Sequence, residues 1–244
     1  MEIQFGNMEA SSSDAKPRLA PQYKTVHTHG SVDPKIHSSG CGILLCFIYH
    51  IIRDSSSTSN TIAALVFLLS NLFCFGTSAF CHYLLGPRKQ QLSCSFLLDH
   101  IGIILHIWGT SVSVLLLENA GRGKQTFIIL GVTLAGIFCI TYLIIRRRGK
   151  KARTWVIGLF GALTLCSVSL YNAAFSSISR LTTSYIFLAA VNGIGGWFYC
   201  RGSYQISIPR SSMPYTVSGH SLMHLCSLIA SIFHASTLTL SICI

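Results

Sequence analysis

Three short stretches of this chain place ionisable side chains among apolar neighbours. They are Ser78-Ala79-Phe80-Cys81-His82, Leu98-Asp99-His100-Ile101-Gly102 and Gly219-His220-Ser221-Leu222-Met223-His224. Ser78 and His82 are four residues apart, as are His220 and His224, so on a helix each pair shares a face. Imidazole suits zinc. A histidine pair at i, i+4 with one more histidine from elsewhere gives three ligands and leaves a fourth position for water. Zinc bound in this way lowers the pKa of its water to about 7. On this reading His82, His220 and His224 are the ligands and Zn2+ is the cofactor. Asp99 holds the water or takes its proton, and Ser78 hydrogen-bonds a group around the ligands or the substrate. The plainer alternative is that boundary histidines meet water or lipid headgroups and that Asp99 is a packing partner. What favours a site is common depth, which depends on the elements that carry these residues.

Of the 244 residues, half are apolar and 10% are charged, against about 25% charged in a soluble domain. Seven apolar segments are legible, at about 36–52, 61–85, 94–117, 125–145, 154–175, 181–200 and 218–242. A spanning helix needs about 20 such residues, and the first and sixth segments carry the weakest signal. Barrel strands are shorter and alternate, so the fold class is all-α: a membrane bundle of seven transmembrane helices. Residues 1–35 are polar and contain Ser11-Ser12-Ser13 and three of the six prolines, which reads as a disordered arm. They lack the early apolar core of a signal peptide. Residues 36–244 form the membrane domain.

The net charge of +11 does not indicate nucleic acid. The basic residues sit in short breaks between apolar runs, densest at Arg146, Arg147, Arg148, Lys150, Lys151 and Arg153, as in loops facing anionic lipid. Fourteen of the 18 lysines and arginines fall on the side of the N-terminus if there are seven spans. The N-terminus is therefore expected in the cytosol and the C-terminus in the lumen or outside, in the endoplasmic reticulum or plasma membrane. The end of the second helix and the starts of the third and seventh then lie on the cytosolic side, which brings His82, Asp99, His220 and His224 to one depth. Cysteines such as Cys46, Cys74, Cys81, Cys139, Cys166 and Cys226 lie inside apolar runs, where the thiol acts as a small hydrophobe. His100 faces headgroups or joins the site. His106 and His234 lie deeper and read as satisfied interior histidines, and His37 and His50 mark the ends of the first helix.

At these residues the chain resembles the progestin and adiponectin receptor family, also called the haemolysin III-related family. The family's Ser-x-x-x-His is matched by Ser78 and His82. Its Asp-Tyr-x-Gly-Ile is matched by Asp99, Gly102 and Ile103, with His100 in place of the tyrosine. Its Ser-His-x-x-x-His is matched by His220 and His224, with Gly219 in place of the serine. The usual Asn-Ile-Trp-Thr-His entry to the first helix is degraded to Asp33-Pro34-Lys35-Ile36-His37. The resemblance implies seven helices around a cytosol-facing zinc held by His82, His220 and His224, with a water near Asp99.

Three functions compete. The first is zinc-dependent hydrolysis of a lipid amide or ester, with the bilayer and a lipophilic substrate as partners. The second is a non-hydrolytic cyclase or isomerase of lipid or terpenoid biosynthesis, with zinc or protonated Asp99 activating an epoxide or alkene. The third is a lipid receptor or sensor without turnover. A channel ranks below these, because no filter-like glycine sequence or ring-forming charged motif is present.

Overall fold

The structure is a computed structural model. It describes residues 32–55, 57–84, 93–118, 122–146, 150–175, 179–206 and 215–243, with side chains over 38–55, 57–81, 97–118, 123–146, 152–175, 179–202 and 219–242. The expected arm lies outside the described residues as far as residue 31.

Seven helices make up nearly all of it: α1 (Val32–Asp54), α2 (Thr58–Leu84), α3 (Ser93–Leu117), α4 (Arg122–Arg146), α5 (Lys150–Phe175), α6 (Arg180–Arg201) and α7 (Gly219–Cys243). Pro34 occupies the first turn of α1, where a missing N–H costs nothing, and none of these seven helices contains another proline. Even the shortest helix has 22 residues, about 33 Å at 1.5 Å per residue, enough for a hydrocarbon core of about 30 Å. Five helices are also apolar enough to cross a membrane; the exceptions are α1 and α6. Serines dilute α1, and Asn192 with three glycines dilutes α6.

The outer faces of α4 and α5 carry large apolar side chains, among them Phe127, Phe138, Leu159 and Leu170, each at least 69% exposed. Such a belt fits hydrocarbon rather than water as its solvent. Inside, Phe67, Phe75, Leu44, Leu68, Leu115 and Leu238 join α1, α2, α3 and α7 into the main core. Ile104, Val132, Leu143 and Phe160 form a second core joining α3, α4 and α5.

Two seams fix the end of the bundle where the sequence places its chemistry. On α3, Gly102 and Gly109 are seven residues apart and face α2. A Cβ at Gly102 would lie 2.9 Å from Thr77 Oγ1 and 3.1 Å from the Cys74 Cα, and one at Gly109 would overlap the Ser70 hydroxyl. Small residues let membrane helices approach this closely. The second seam joins α6 to α7. The α6 C-cap, Gly202, has φ 95°, and its N–H donates to the Phe198 carbonyl. After it come β1 (Ser203–Ile206) and β2 (Tyr215–Ser218), paired antiparallel with Ser203 opposite Ser218. The Gly219 N–H closes the ribbon by donating to the Gly202 carbonyl at 2.6 Å. This ribbon is the one β structure among the described residues.

Candidate metal centre

Antiparallel pairing of α2 and α3, with Gly102 against Cys74 and Thr77, brings Asp99 level with Ser78 and Cys81 one turn further along. Asp99 is 4% exposed and Ser78 is fully buried. The α6–α7 ribbon fixes the start of α7, so its first turn carries His220 at the same end of the bundle. His224 follows one turn deeper and is buried, while His220 is half-buried.

One ligand atom each from Asp99, His220 and His224 lie within 4.8 Å of one another. The two imidazole Nε2 atoms are 3.0 Å apart, with ring planes crossing at 87°. Two nitrogens each about 2.0–2.1 Å from a tetrahedral zinc would sit about 3.3 Å apart, so the pair has nearly the spacing a shared cation needs. Asp99 Oδ1 is buried and has no hydrogen-bond partner. An unsatisfied buried carboxylate oxygen is costly, and a cation or a water held beside the imidazoles would supply the missing partner. The donor set of imidazole and carboxylate suits a divalent transition metal.

Sequence reasoning placed Asp99, His220 and His224 at one depth, and the structure brings these three together. Ser78 sits level with them. His82 lies in the last turn of α2, about one turn beyond Ser78, and its side chain is outside the described residues, as is that of His37. His50 is exposed near the far end of α1, 3.7 Å from Asp54. Its neighbour Arg53 bonds the same carboxylate through Nε at 2.6 Å and Nη2 at 2.9 Å, and the guanidinium holds Asp54 below the usual carboxylate range.

Three expectations change. His100 is 3% exposed: it is enclosed by protein, not by headgroups, because it lies about 100° around α3 from Asp99, on a face also covered by helices. His106 and His234 are interior but only half satisfied. His234 Nδ1 pairs with Ser184 Oγ at 2.8 Å and His106 Nε2 with Asn192 Nδ2 at 3.4 Å, whereas His234 Nε2 and His106 Nδ1 have no partner. Tyr199 escaped the sequence reading. Its ring lies 5.6 Å from that of His220, and its position in the last turn of α6, at the same end as the other three, is the signal that would have found it.

The haemolysin-III related family model matches residues 31–235, a range holding every residue of the site. A search of curated proteins returned no match.

Proposed function

The chain belongs to the haemolysin III-related family, and from that premise and the geometry around Asp99 we propose a zinc-dependent hydrolase of a lipid amide or ester. The observation that carries this is the buried Asp99 carboxylate, whose Oδ1 has no partner and one of whose oxygens lies within 4.8 Å of a ligand atom on each of two imidazoles. His82, His220 and His224 would hold the ion. A zinc ion bound there supplies Lewis acidity toward a water and toward the carbonyl oxygen of the substrate.

The remaining work falls to the side chains. Asp99 takes the proton of the attacking water at Oδ1 and later returns it to the departing amine or alcohol. Burial keeps competing water away and strengthens each polar interaction. Ser78, level with Asp99 on α2, orients the substrate or a ligand. The Tyr199 ring packs on His220 and restricts its rotation. The substrate is lipophilic and enters from the bilayer that surrounds the bundle. The lysine and arginine bias puts the N-terminus, and with it this end of the bundle, in the cytosol.

The test is release of fatty acid from lipid amides by the purified protein in water labelled with heavy oxygen. The proposal expects label in the carboxylate product from wild type and no product from His220→Ala. Product without solvent oxygen would point to cyclisation or isomerisation instead, and turnover surviving in His220→Ala would reject the site.

A further inference from the structure

The deeper interior of the bundle carries polar groups in an ordered series that continues from the two α7 histidines of the candidate metal centre. On α7, His220, His224, Ser227, Ser231 and His234 follow at intervals of four, three, four and three residues, one continuous stripe on a helix. Successive members are about 4.5–6 Å apart along the axis. Each deeper member is tied to another helix. Ser227 donates to Asn192 Oδ1 at 2.6 Å, and Asn192 reaches His106 on α3. Ser231 donates to Asn71 Oδ1 on α2 at 2.9 Å. His234 pairs with Ser184 on α6, whose neighbour Tyr185 pairs with Ser111 on α3 at 3.0 Å.

A second buried carboxylate lies at the opposite end of the bundle. Glu118, just past α3, is buried and accepts hydrogen bonds from Ser179 and from Thr182 in the first turn of α6. Thr182 in turn accepts from Asn172 at 2.9 Å. Buried acids thus lie at the two ends of the bundle, Asp99 at one and Glu118 at the other, with the buried His106 and His234 at depths between them.

Helix association alone does not explain these residues. An interhelical hydrogen bond in a membrane contributes only modestly to association, and serine or asparagine supplies it without an empty ring nitrogen. His106 Nδ1 and His234 Nε2 are buried with no partner, and leaving such an atom unsatisfied is costly. What imidazole offers in return is the ability to accept a proton at one nitrogen and release another from the second. Ionisable residues inside a bundle mark proton paths in other membrane proteins.

We propose that this stripe is a proton path through the bundle, joining the Asp99 end to Glu118 by way of His106 and His234. At each hop one N–H or O–H bond forms as another breaks. One proton enters at one end for each that leaves at the other, and no group is changed once the ring tautomers reset. Serine hydroxyls and single waters bridge the intervals of one turn, since a water needs two to four polar partners and the stripe supplies them.

The experiment reconstitutes the full chain in vesicles holding a pH-sensitive dye, with a potassium ionophore clamping the potential, and imposes a pH gradient. The wild type should collapse the gradient faster than protein-free vesicles. His234→Gln keeps hydrogen-bonding capacity but cannot relay a proton, and should fall to the protein-free rate. His50→Gln, at an exposed position outside the stripe, should match wild type. A wild-type rate equal to that of empty vesicles, or undiminished flux in His234→Gln, overturns the proposal. Neither readout depends on turnover or metal content, so its failure is separable from failure of the hydrolytic reading.

Discussion

Gly219→Ala is the smallest change that should disable the site without touching a ligand. A Cβ there would lie 2.8 Å from the Phe198 carbonyl carbon and closer still to the carbonyl oxygens of Phe198 and Gly202. Ordinary carbon contacts are about 3.5–4.0 Å, so the start of α7 must retreat from the end of α6 by about 1 Å. His220 and His224 share α7 and move together, away from Asp99 on α3 and His82 on α2. Metal–ligand distances tolerate only about 0.2 Å, so this displacement exceeds the tolerance roughly fivefold. Affinity for zinc should fall by on the order of 10–100-fold, the range seen when groups that position ligands are altered. Overpacking at the seam should also lower stability by about 1–3 kcal/mol. The assay is chelator competition on purified protein in detergent, with Gly196→Ala as control, since a Cβ at Gly196 meets nothing within 4 Å. Wild-type affinity in Gly219→Ala would refute the argument that the α6–α7 clamp sets the site.

Asp99→Asn keeps the shape of the side chain but cannot take a proton; zinc content should hold while lipid hydrolysis falls by roughly 10²–10⁴-fold, measured side by side. At the α2–α3 seam, Gly109→Ala sets a methyl group against Ser70 and 3.0 Å from the Val66 carbonyl, and should lower the melting midpoint by the equivalent of about 1–3 kcal/mol. Ser231→Ala removes the donor to Asn71 Oδ1 and should cost about 1–3 kcal/mol, because the buried oxygen loses its partner, with zinc content unchanged.

The helices were legible because hydrocarbon selects long apolar runs, and those runs are interrupted by charge, proline and glycine. Bounds differ by a few residues: α1 begins at Val32 rather than at Ile36, since Asp33, Pro34 and Lys35 are polar yet compatible with a first helical turn. The meeting of Asp99 with His220 and His224 was legible because alternating spans fix depth from charge alone. Rotation about each helix axis was not. His100 is next to Asp99, and nothing local says that its face is also covered. The 4-3-4-3 spacing on α7 was present in the sequence, but recognising it as interior required Asn71, Ser184 and Asn192 on other helices. Glycine stands at position 219 in place of the family's serine. The packing gives its cause, because no side chain fits between α7 and the Phe198 and Gly202 carbonyls.

The account stands on a cation shared between helices, so elemental analysis of the purified protein addresses it first. Wild type should carry close to one zinc per chain, and His82→Ala, His220→Ala and His224→Ala should each lose most of it while remaining monodisperse. Equal zinc in all four proteins, or none in wild type after growth in zinc-replete medium, would contradict it.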